Sequence, residues 1–179
     1  MSWHHGDWLA FAQAVVAALA IVGAFAVVFV QHSMHVRHAD RSAERDRLRE
    51  RYRASTYAEA LLQNAIDCAV PILNSIESMS KRRDLNGDAT FDASRLDKAS
   101  DALGQAIHSG LPTEITTCVL SAWMAIQQFC HALRRTEVVS TMKMAELHAY
   151  CGEQYSVLNA SMEIVRMKKA KWEGRLNEK

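Results

Sequence analysis

Four cysteines and eight histidines have the strongest claim to metal or nucleophile chemistry in this chain, and their spacing decides how far that claim goes. Cys130 and His131 are adjacent, and His148-x-x-Cys151 follows in a stretch of helical pattern. The second pair can share a helical face, whereas adjacent residues point about 100° apart. A structural zinc site draws its ligands from tight pairs, so core thiols and a bundle histidine compete with a zinc reading here. His32, His35 and His38 repeat at i, i+3 and i+6. In an oligomer they would stack as rings able to titrate near neutral pH or hold a metal. In a single chain they are interfacial residues at a helix exit. His4 and His5 lie on the other side of the long apolar run described below and cannot join them if that run spans a membrane. Cys68, Cys118, Cys130 and Cys151 are scattered singly without a CxxC, as small core thiols in a reducing compartment are.

Lys143 and His148 open the last helical segment with four residues between them. This segment resembles the motif of metal-independent ribonucleases of the all-helical HEPN type, an Arg and a His separated by four to six residues. Lys stands here where that family has Arg, and the two cations differ in geometry and hydrogen-bonding fork. The resemblance therefore implies a degraded HEPN-like helical body, with a divergent ribonuclease using Lys143 and His148 as the alternative. A surface Lys beside a nearby His is the plainer reading. No GxSxG, P-loop, dinucleotide fingerprint, HExxH or paired acid cluster occurs. We expect no enzyme activity and no cofactor.

The C-terminal segment carries Arg166, Lys168, Lys169, Lys171 and Arg175 around Trp172. Such a cluster can bind anionic headgroups or RNA phosphates. Basic residues at a helix C-terminus also complement the macrodipole, and Trp172 continues an apolar stripe. The net charge of +1 adds no global attraction for nucleic acid.

These residues must be positioned by helices. Trp8 to Val30 is apolar except for Gln13 and holds no charge. As helix it measures about 34 Å, enough to cross a hydrocarbon core of about 30 Å with some tilt. No Lys or Arg precedes it, and Arg37, Arg41, Arg45, Arg47 and Arg49 follow, so the positive-inside rule puts the N-terminus outside and the body in the cytoplasm. A cleaved signal peptide is disfavoured, because there is no basic n-region and the apolar run continues past the Ala24-Phe25-Ala26 triplet. One stripe of the span, Gln13, Ala17, Ala20, Ala24, Val27 and Gln31, combines small residues with two amides. That combination suits self-association in lipid and, in a ring of subunits, an aqueous path. The other reading is an Ala-rich anchor with a Gln near each interface.

Two prolines, seven glycines and no sustained alternation make the rest all-α. We expect residues 1–7 outside, a transmembrane helix over 8–31, a charged juxtamembrane rod over 32–57, and an antiparallel helical bundle over 58–179. Pairs such as Arg41/Glu44 and Glu50/Arg53 support the rod. Core stripes follow at helical spacing: Leu62, Ala69, Leu73 and Ile76; Leu96, Ala99, Leu103 and Ile107 over Asp92–His108; Ile115, Val119, Ile126 and Phe129 over Thr113–Thr136; Met144, Cys151, Tyr155 and Leu158 over Ser140–Leu176. Pro71 should kink the first helix. Asp84 to Asp88 reads as a turn lacking the spacing of a calcium loop.

In length, topology and helical class the chain resembles the accessory membrane proteins of RNA-targeting type VI-B CRISPR systems. That resemblance implies an oligomeric membrane pore in a bacterial inner membrane and a defence role. The expected function is a self-associating, single-pass membrane effector or accessory. The alternative is a tethered scaffold that binds a cytoplasmic protein partner.

Overall fold

A computed structural model describes residues 5–81, 91–134 and 141–178. It is all-helical, with α1 (His5–Ser80), α2 (Ser94–His108), α3 (Thr113–Arg134) and α4 (Thr141–Asn177), and no strand among the described residues. The chain divides into two compact units, Met1–Arg47 and Leu48–Lys179, and the boundary falls within α1. His4, the turn at 84–88, and the residues at 135–140 that would extend α3 or begin α4 lie outside the described residues.

In the first unit α1 follows from composition, since Ala-rich apolar sequence carries no breaker and only Gly6 and Gly23 weaken it. Every side chain from Phe11 to Val30 is exposed within this structure.

The second unit owns the core. Leu62, Ala65, Ala69 and Ile76 from α1 meet Leu96 and Leu103 from α2, Ile115, Val119, Ile126 and Phe129 from α3, and Met144, Leu158, Met162 and Val165 from α4. Most of these side chains are fully enclosed, and each large one contributes about 1.5–3 kcal/mol by leaving water. α2 and α4 both pack on α3. Two positions differ from the expected stripes. Ala106 is buried where Ile107 was expected, because the 96–99–103–106 face carries the helix inward one residue earlier. Ile107 and Tyr155 pack partly buried at the margin.

Pro71 does not end α1, which continues to Ser80. Its ring is exposed, as is Asp67, whose carbonyl is the one deprived of a helical donor by the proline. At the start of α2, Asp92 Oδ1 accepts the Ser94 N–H at 3.0 Å, and the bonds from Ser94 hold this carboxyl below its usual range. Pro112 directly precedes α3, and its carbonyl accepts the N–H groups of Ile115 and Thr116.

Gly110 joins α2 to α3 with φ +79°, the left-handed conformation that ends a helix. A Cβ there would meet nothing within 4 Å, so the constraint is purely backbone. Gly110→Ala should lower the stability of the body by about 1 kcal/mol, against about 3–5 kcal/mol for Phe129→Ala. Urea unfolding of the full chain in mild detergent measures both.

Candidate functional site

Two groups of residues stand out, one in each unit. In the first, the window of highest hydropathy averages 2.6 and none of it is buried. Gln13, Ala17, Ala20, Ala24, Val27 and Gln31 are all exposed on α1. Ala12, Gln13, Val16, Ala17 and Ala20 line a shallow apolar groove where small side chains leave the backbone approachable. Near the start of the stretch Trp8 and Phe11 meet edge to face at 6.2 Å. Aromatic rings of this kind suit a headgroup boundary. His32, His35 and His38 are exposed along the helix beyond the groove.

The second group centres on Glu59, which joins α1 to α4. Lys169 Nζ donates to Glu59 Oε2 at 2.8 Å, and Arg166 Nε donates to Glu59 Oε1 at 3.1 Å. Arg166 also donates to Glu163 on its own helix at 3.1 Å and to Gln63 Oε1 at 3.3 Å. The Lys169 ammonium sits 5.8 Å from the centre of the Tyr52 ring, a cation–π distance. The Lys169 hydrogen bond, followed by that from Arg166, holds the Glu59 carboxyl below its ordinary 4.5 despite partial desolvation. The same bonds raise both bases.

The structure thus divides the C-terminal basic cluster. Arg166 and Lys169 turn toward α1, and Lys168 donates to the Glu114 carbonyl of α3 at 2.7 Å. Trp172 is buried in the core, while Lys171 and Arg175 are exposed. Tyr52, Glu59 and Gln63 form the α1 side of this cluster and were not singled out in the sequence. Their spacing of seven and four places them on one face, but nothing local marks the partner helix.

The remaining candidates stand apart. His148 is half-buried on α4, and Lys143 lies on the same helix with its side chain outside the described ones. Cys130 is buried, and burial together with the hydrogen bond and charge of Asp97 pushes its thiol up to about 12. Burial alone pushes Cys151 up to about 12. Both thiols therefore stay protonated at neutral pH, whereas metal ligation and nucleophilic attack use the thiolate. His131 is exposed. Among the described residues no group of three His, Cys, Asp or Glu gathers to hold a metal.

No protein-family model, curated protein or solved structure matches the chain.

Glu59→Gln should cost about 1 kcal/mol of stability at neutral pH, the range of a partly exposed charged pair. Because the folded-state carboxyl titrates below its ordinary 4.5, its contribution is complete above that value and is lost as the pH falls through the lower folded-state value. Urea unfolding across the acid range should show wild type and variant converging at low pH. A gap that persists unchanged in acid would assign the loss to packing.

Proposed function

We propose that this chain is a single-pass membrane protein, N-terminus outside and helical body cytoplasmic, that self-associates through the anchor and acts as a non-enzymatic membrane effector or accessory. The observation that carries the reading is the run of α1 with hydropathy 2.6 and no protein against it. Lipid is the natural cover for a helix whose backbone groups are all paired within itself. The groove at Ala12, Gln13, Val16, Ala17 and Ala20 supports close helix approach, and Gln13 supports a hydrogen bond across it. The basic flank from Arg37 supports the orientation. Resemblance in overall plan to the accessory proteins of type VI-B systems makes an oligomeric pore in a bacterial inner membrane the sharpest form of the proposal. A pore needs a ring of subunits, because one helix per copy encloses nothing.

We read the body as an antiparallel bundle. Two placements support this: Glu59 pairs with Arg166 and Lys169, while Glu77, later on α1, lies in the neighbourhood of His148, earlier on α4. Numbers that rise along α1 fall along α4.

The full chain in mild detergent should have the mass of a discrete oligomer, and the chain lacking residues 1–31 should not. Gln13→Leu with Gln31→Leu should weaken the assembly and leave the helical body folded by circular dichroism. An unchanged mass after both substitutions would sink the stripe as the contact. A monomer in both lengths would favour a tethered scaffold that binds a cytoplasmic partner.

A further inference from the structure

α1 runs through the first unit as one uninterrupted α-helix, so the face that carries Gln13 and Ala17 keeps its direction beyond the apolar run. Eighteen residues make about five turns. Ala17, Ala20 and Val27 are therefore followed on the same line by His35, His38 and Arg45, and all six are exposed. His32 lies about 100° away from this line. The line thus changes character where the chain leaves the apolar stretch, from small side chains and amides to imidazoles and a guanidinium.

The acids of the first unit lie off it. At about 100° per residue, Asp7 falls about 120° from the line through Gln13 and Gln31, Asp40 about 180°, Glu44 about 140° and Asp46 about 60°. Neither an imidazole nor a guanidinium ever carries negative charge. Asp40 and Glu44 sit across a helix about 10 Å wide, which is close to the screening length at ordinary salt. The sign of the potential along the line is therefore set by Arg45 and not by the sum of the helix charges.

We propose that in the assembled protein this line is the wall of an anion path, with Arg45 forming a cationic ring at its cytoplasmic mouth and selecting small inorganic anions such as chloride. Rings of basic side chains select anions in the same way that acidic rings select cations. Copies packed tightly along the line would bring arginines together at a cost, whereas copies arranged around water keep each one hydrated. The inference rests on the pore form of the proposed function and adds to it which ions pass and which side chain decides.

The full chain, reconstituted in a planar bilayer of phosphatidylcholine alone, tests it through the reversal potential in a gradient of potassium chloride. Chloride should permeate about tenfold more readily than potassium at low salt, the lower end of what a lining of one sign achieves. The preference should shrink toward unity as salt is raised. Arg45→Glu should abolish it or turn it toward potassium. Arg47→Glu makes the same change in net charge about 3 Å further along the axis, but about 160° from the line, and should leave the preference where it is. Both residues are exposed, and the mass of each variant in mild detergent should match wild type. Wild-type channels that pass potassium as readily as chloride would overturn the anion path and leave the pore standing. An Arg47→Glu shift as large as that of Arg45→Glu would overturn the assignment of the face. A discrete oligomer that does not conduct would overturn the pore and this inference together.

Discussion

An apolar helix left without protein against it constrains everything else in this molecule. Val16, Leu19, Val22, Phe25, Val28 and Phe29 each keep more than half of their surface uncovered. Moving one such side chain from water into an apolar medium is worth about 1.5–3 kcal/mol. The sum over the run exceeds the 5–15 kcal/mol by which a domain holds together, and the helix is long and apolar enough to cross a membrane. Its backbone, by contrast, is ready for lipid, because an α-helix pairs its own donors and acceptors. Once that stretch is assigned to a membrane, the arginines that start at Arg37 acquire a place at the interface, and the body must be stable without help from the anchor.

The body meets that demand with apolar seams closed by polar brackets. Between α2 and α3 the Gln127 amide donates to the buried Ser100 hydroxyl at 2.8 Å, and Arg134 pairs with Asp97 at 2.7 Å. Between α1 and α4 the bracket is Glu59 with its two bases. Between α3 and α4 it is Lys168 on the Glu114 carbonyl. Exposed brackets of this sort carry little energy, commonly 0–1 kcal/mol. Their effect is on register: an apolar face slides along another at small cost, whereas a hydrogen bond holds only within a few tenths of an ångström. The core supplies the free energy, and the brackets select one packing from several.

That division of labour explains what could be read from residues alone. The helices and most of the core were legible because burial imposes a period, and Leu62, Leu103, Ile126 and Leu158 obey it. Ala106 was missed in favour of Ile107 because the sequence displays size, while inward placement depends on how far the helix is rotated. The Glu59 cluster was not legible, because Glu59 and Lys169 lie on different helices and no rule of spacing reaches between them. The basic C-terminal run misled in the opposite sense. Neighbours in sequence diverge around a helix by about 100° per residue, so one apparent patch becomes separate contacts with α1, α3, the core and solvent.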